Sequence, residues 1–288
     1  HQTYLREAER EYRSIQALIK HQRTFKLGCE AFHSFRTHYP DFDPDDLVSI
    51  CIPPELPTIE WCDIPAGEVV ILRDKKPVIY HVDNFKIGKY PITNAQFQAF
   101  IDSKDGYKDD RWWNTTPASK EWHQTHHSPL EARFEGDEYP RVNICWYEAQ
   151  AYCQWYSARS GMKIGLATTQ QWQRAAQGDQ HYRYPWGERF QKDVCNTKET
   201  GLRMTTPVNY YPAGASPFGV YDLAGNVWEW TTTSRSPQVN GANGDKLTYI
   251  VHGGSFLGAA DRAQNGFFFQ LDAVYRYFTI GFRVVQIG

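Results

Sequence analysis

Three groups of residues are of types that could do chemistry: histidines gathered at His123, His126 and His127, cysteines spread from Cys29 to Cys195, and an acidic run at Asp41, Asp43, Asp45 and Asp46. His123 and His127 would share one face of a helix and could ligate a metal through neutral imidazoles. No carboxylate follows at a suitable spacing, and Pro129 ends the helix, so solvated loop histidines are expected. The acidic run lacks the turn glycine and closing glutamate of a calcium-binding EF-hand. It reads instead as a helix start, with Asp43 as N-cap and Pro44 at the first helical position. Cys29, Cys51, Cys62, Cys145, Cys153 and Cys195 form no CxxC pair and no dense framework. Reduced thiols and a cytoplasmic location are the expectation.

A second kind of signal is a surface. Gly253-Gly254-Ser255-Phe256 opens a stretch that closes on Ile280-Gly281-Phe282-Arg283-Val284-Val285, with many aromatics between. Glycines that permit tight turns on either side of ring-rich sequence describe a rigid frame around a changeable surface. Short alternating strands would send some of these rings inward, so one at least of Phe267, Phe268 and Phe269 is expected in the core.

The elements that must hold such a surface are few and short. Apolar residues at Leu5, Ala8, Tyr12, Ile15 and Ile19 trace one helical face, read as an intramolecular brace. Pro53-Pro54 and Pro57 form a stiff connector and place a boundary near residue 57. The division expected is a helical N-terminal segment and linker over 1–57 and a larger domain over 58–288. Strand-like sequence runs over 59–71, and Thr93 caps a helix carrying Phe97, Phe100 and Ile101. A polar stretch over 103–139 reads as a long loop without its own core, of a kind often set beside a site. A helix follows over 147–159, ending at Gly161, and Thr168 with Gln171 makes a capping box for another. Beyond it, turn signals crowd and the chain is mostly irregular.

With 288 residues, the chain is long enough for a full core, and its formal net charge of −2 gives no basic field for a phosphate backbone, which removes charge-driven nucleic-acid binding. Ten Trp against two Met, at a mean hydropathy of −0.62, put much of the apolar volume into large flat side chains. No apolar run approaches the roughly 20 residues of a spanning helix, and no leader precedes a small-residue cleavage site. The chain opens on His1 and not Met, which allows a preceding domain.

Five ordered motifs carry a family resemblance. They are Phe85-Lys86-Ile87-Gly88-Lys89-Tyr90-Pro91-Ile92-Thr93-Asn94 with the stretch 140–161, Tyr184-Pro185-Trp186-Gly187, Leu223-Ala224-Gly225-Asn226-Val227-Trp228-Glu229-Trp230, Gly253-Gly254-Ser255-Phe256, and Gly281-Phe282-Arg283. Over roughly 59–286 the chain resembles the formylglycine-generating-enzyme (sulfatase-modifying factor) type of C-type lectin fold. The resemblance implies an α+β domain of low regular secondary structure, behind an N-terminal helical segment. It also implies a structural calcium loop at Asp222, Gly225, Val227 and Glu229, which would carry Trp228 and Trp230.

Fold alone does not assign function. The copper oxidase of this family uses two thiolates just after the Gly-Gly-Ser motif. Here those positions read Leu257-Gly258-Ala259-Ala260 and no cysteine follows Cys195, so no redox cofactor and no enzymatic activity are expected. The family's iron-dependent sulfoxide synthases use an HxxxHxE arrangement that neither His33 nor His38 supplies. The ending is similar to that of variable proteins of diversity-generating retroelements, whose C-terminal stretch is rewritten through template adenines around fixed arginines, here Arg262 and Arg276. Mutagenised Asn codons never yield Trp, Met, Lys, Glu or Gln. Between Phe256 and Thr279 only Gln264 and Gln270 are of those types. That resemblance implies a non-enzymatic binding surface over about 256–279, made of Phe256, Leu257, Gly258, Ala260, Phe267, Phe269, Tyr275, Tyr277 and Phe278 with Trp228. Its ligand would be a protein surface or a flat small molecule such as a nucleotide, with Gly258, Ala259, Ala260 and Ala273 shaping a concavity.

Overall fold

The computed structural model describes residues 2–21, 23–51, 56–73, 76–235 and 248–287. At the N-terminus α1 (Gln2–Ile19), α2 (Phe25–His38) and α3 (Leu47–Cys51) form a small unit. The three-and-four spacing of Ala8, Tyr12, Ile15 and Ile19 puts them on one face of α1, buried against Phe25, Phe32, Phe35 and Leu47. The unit leans on the larger body through two arginines. The Arg111 guanidinium lies 4.9 Å from the Phe25 ring centre and donates to Ile19 O at 2.7 Å, and that of Arg159 sits 5.6 Å from the same ring. Two expectations are corrected here. The helix after the acidic run begins at Leu47, because Asp43 caps it from outside, accepting the Leu47 and Val48 N–H groups at 2.7 and 2.9 Å while Pro44 stays in the turn. Cys29 and Cys51 are joined in a disulfide, because α3 folds back along α2, so the thiols are not all free.

The body is built on short strands: β1 (Trp61–Ile64), β2 (Gly67–Arg73), β3 (Lys76–Val82) and β4 (Phe85–Gly88) precede α4 (Asn94–Asp102), α5 (Pro117–His123) and α6 (Trp146–Ser160). Then come β5 (Ile164–Leu166), α7 (Thr169–Gln177), β6 (Trp228–Arg235), β7 (Thr248–His252), β8 (Phe268–Asp272), β9 (Ile280–Phe282) and β10 (Val284–Gln286). One sheet runs β1-β4-β10-β5, a second β8-β7-β6-β9, and β2 with β3 makes a hairpin. Strand β6 pairs with β9 in parallel and with β7 antiparallel, so Trp228 and Trp230 sit at the centre of the second sheet. Thr93 caps α4 and Thr168 with Gln171 makes a capping box at α7, as the sequence predicts, and the structure adds Gln96 as the reciprocal partner of Thr93.

The principal core joins rings from α4, α6 and the second sheet, among them Phe97, Phe100, Tyr152, Trp155, Trp230 and Phe282. Residues 103–139 are not a coreless loop: Trp112, Trp113 and Trp122 are buried in that same core. A short 3-10 turn over Asp110–Trp113 and then α5 present them, and the Trp113 indole donates to Tyr107 O at 2.9 Å. His123 is likewise not solvated. It is 2% exposed and stacks on Trp113 at 4.1 Å, and burial lowers its pKa.

Candidate functional site

Residues 253–279 leave the centre of the second sheet, loop outward and return to it. Gly253 and Gly254 have φ of +98° and +77°, and a Cβ on Gly254 would meet the Ala263 backbone at 3.1 Å, so the sharp exit turn needs glycine. From there the main chain is pinned to the frame at intervals. Phe256 N donates to Asn226 O at 3.1 Å, Lys198 N to Gly258 O at 2.9 Å, and Ala260 N to the Glu199 carboxylate at 2.9 Å. Asn265 donates from its backbone and side chain to Arg183 O and Tyr182 O. Trp146 N reaches Ala273 O at 3.0 Å, Asn143 N reaches Tyr277 O at 3.1 Å, and Trp228 N reaches Thr279 O at 2.8 Å.

Between these pins the side chains divide. Leu257, Phe269, Val274, Tyr275 and Tyr277 are exposed, at 36–48%. Phe267 and Phe278 are half-buried. Phe256 is buried, contrary to expectation, because it enters a ring cluster with Phe134 at 5.5 Å and Phe278 at 6.1 Å. Trp228 is also buried, beneath Phe267 and Phe269 at 6.0 and 4.9 Å, and supports the surface without forming it. Phe268 is half-buried and approaches His252 at 6.1 Å. Contrary to expectation, none of Phe267, Phe268 and Phe269 is fully in the core, Phe267 being only packed against it, because burial along β8 does not alternate. Gly258 and Ala273 are buried while Ala259 and Ala260 are half-buried, so the small residues do not all face solvent as a hollow. An open groove of about 1130 Å³ lies elsewhere, between β3, β4 and the start of α7, and none of its lining residues falls within 256–279. Val274 was not among the sequence candidates. Its only signal is its place one residue before Tyr275, in a stretch without regular period.

One arginine of the segment is a peg. Arg276 reaches inward to the fully buried Glu148 of α6, donating through Nε at 2.9 Å and Nη2 at 2.8 Å, and packs 4.6 Å from the Trp122 ring centre. Glu148 also accepts the Tyr107 hydroxyl at 2.8 Å and the Cys145 N–H at 2.8 Å. Arg262, the other arginine expected to be fixed, is exposed and lies 5.5 Å from the Phe269 ring centre.

The expected calcium loop has a different occupation. Both oxygens of Glu229 are held by N–H donors: Arg283 Nη2 at 2.8 Å on one, and Arg283 Nε at 3.0 Å with the Trp172 indole at 2.7 Å on the other. Burial pushes the Asp222 carboxyl up to about 7, and the Asn226 amide donates to it at 2.8 Å. A carboxylate whose two oxygens are taken by a guanidinium and an indole does not offer calcium the free oxygens it takes. Gly225 and Val227 belong to the turn itself: Gly225 has φ +86°, and a Cβ there would stand 2.2 Å from Asn196 O. Among the described residues no three His, Cys, Asp or Glu side chains converge as a metal site.

Residues 57–287 match the sulfatase-modifying factor enzyme 1-like domain, and the chain belongs to that family. It is 32% identical over 195 residues to a hercynine oxygenase of Mycobacterium tuberculosis, covering 60% of this chain and 43% of that protein. It therefore spans less than half the length of that relative. It is 29% identical over 223 residues to the inactive C-alpha-formylglycine-generating enzyme 2 of Bos taurus, covering 64% of this chain and 69% of that protein. Among solved structures, Treponema denticola variable protein 1 superposes with a TM-score of 0.61 at 17% identity, over 81% of this chain and 97% of that one. The α+β C-type lectin-like fold expected from the motifs is thereby shown. The expectation that the chain is not an enzyme is corrected. Relatives named as hercynine oxygenases are 31–32% identical over 58–60% of this chain, and a relative named as inactive matches it as well.

Proposed function

We propose that residues 256–279 form a ligand-recognition surface of the kind carried by variable proteins of diversity-generating retroelements. The observation that carries this reading is the division of the segment into exposed side chains at 257, 269, 274, 275 and 277 and a main chain pinned to the frame around them. Large apolar side chains left together in solvent mark interaction sites, and Tyr and Phe give contact area for few lost rotamers. The ligand is a protein surface or a flat small molecule such as a nucleotide, which rings of this kind stack on equally well. Residues 1–57 serve as a brace for the domain over 58–288.

Amplicon sequencing of codons 256–279 across the source population tests the reading. Substitutions should concentrate at 257, 269, 274, 275 and 277 and spare Asn265, Ala273 and Arg276, with an adenine-rich near-copy of the segment beside a reverse transcriptase. Uniform codons and no near-copy would refute it.

The hercynine oxygenase relatives favour a second reading, in which the same face holds hercynine or a related small molecule for oxygenation. The described residues do not fit an iron centre, so the ligands would lie outside them. Oxygen consumption measured with hercynine and added iron(II) would establish this activity, and its absence would leave the recognition reading alone.

A further inference from the structure

Beside the pinned stretch 258–260 lies a cavity of about 320 Å³ whose lining residues all fall outside the recognition segment. Tyr210 and Tyr211 line it, and their rings meet at 4.8 Å and an interplanar angle of 72°. Asp193, Glu199 and Leu202 line it as well, and Lys192 is the one basic residue among its described lining residues. Burial works to raise the pKa of Glu199, but the Ala260 N–H and the Thr197 hydroxyl outweigh it and hold this carboxyl below its usual range. The acid is therefore charged at neutral pH. An aromatic corner attracts a cation through the ring quadrupoles, without needing a hydrogen bond from it, and two carboxylates set the sign of the site. Against an anion the same walls set two carboxylates and offer it one cation, Lys192, with the hydroxyls of Thr200, Tyr210 and Tyr211.

We propose that this cavity binds an alkylammonium group, the shared chemistry of a free quaternary amine and of a methylated lysine side chain in a peptide. The proposal stands apart from the recognition reading.

The test is a titration of the full chain by NMR at constant ionic strength with three probes: choline, its neutral isostere 3,3-dimethylbutanol, and an acetylated trimethyllysine amide. Saturable binding of a cation in the millimolar range is expected, with the isostere weaker by about fivefold or more. Tyr210→Ala removes an exposed ring and should weaken cation binding by about fivefold. Asp193→Asn should weaken it as well, and Lys192→Gln should tighten it. A tighter choline complex assigns the site to free amines, and a tighter lysine complex to peptides. No saturation by either cation, equal binding of the isostere, or unchanged affinity in Tyr210→Ala would overturn the proposal.

Discussion

Replacing Arg276 with alanine should cost far more than its position in a surface segment suggests. Among the described residues its guanidinium is the only cation hydrogen-bonded to Glu148, whose side chain is 0% exposed against 13% for Arg276. Removing it leaves a buried carboxylate with the Tyr107 hydroxyl and the Cys145 N–H and thiol, all neutral, as its hydrogen-bond partners, and Arg141 as a cation that acts on it without a hydrogen bond. Breaking a buried pair from one side costs about 3–5 kcal/mol, chiefly because the remaining charge is uncompensated. At about 2–4 °C per kcal/mol in a protein of this size, the midpoint of thermal unfolding should fall by roughly 10 °C. Calorimetry and urea denaturation on wild type, Arg276→Ala, Glu148→Gln and the double variant give the assay. Neutralising Glu148 should recover part of the loss in the Arg276→Ala background, so the two substitutions couple by at least ~1 kcal/mol. A midpoint shift under ~2 °C for Arg276→Ala, or strictly additive losses, would show that water replaces the guanidinium and that Arg276 is no peg.

Other outcomes separate core from surface and fix the state of the buried acids. Phe256→Ala should destabilise by about 3–5 kcal/mol in urea titration, whereas Tyr275→Ala and Tyr277→Ala should stay within about 0.5 kcal/mol of wild type. The Asp222 carboxyl, raised to about 7 from 3.8 by burial, keeps its proton in the folded state where the unfolded chain has lost it. Its contribution is therefore full below about pH 4 and fades as pH rises to about 7, by on the order of 1 kcal/mol per unit, and Asp222→Asn should abolish that slope. His252, lowered to about 4 by burial, has the opposite sign: its contribution is present above pH 6.5 and is lost as pH falls towards 4, and its ring should remain neutral by NMR at pH 5.5. Adding calcium or a chelator should move the unfolding midpoint by no more than ~1 °C, since Arg283 already neutralises Glu229.

Much of this was legible in the sequence where the signal is local. The Thr93 cap, the capping pair Thr168/Gln171 and the three-and-four face of α1 are all signals within a few residues of each other. The Gly-Gly-Ser and Gly-Phe-Arg motifs mark the two ends of the irregular segment between β7 and β10, because tight turns and close approaches leave few residue choices. What was not legible depends on long-range packing. His123 is buried because Trp113, ten residues earlier, offers it a parallel ring, and no spacing encodes that. Phe256 is buried because Phe134 approaches from another segment. Glu229 was read as a calcium ligand for want of any local sign that Arg283, 54 residues later, would take both its oxygens.

The same distinction sorts the positions of the proposed surface by what holds them. Tyr277 and Tyr275 project outward, while the main chain of Tyr277 is held by Asn143 through its carbonyl, a bond that survives any side chain at 277. Asn265 and Arg276 behave oppositely, since their side chains are themselves the fastenings. Tolerance at each position therefore follows from which atoms hold the chain there, backbone or side chain. Regular strands would tie this to an alternation of period two. An irregular loop fastened one carbonyl at a time frees adjacent residues such as Val274 and Tyr275 to face solvent together. The scarcity of regular structure between β8 and β9 is thus what lets Val274, Tyr275 and Tyr277 face solvent while Arg276 turns inward to Glu148.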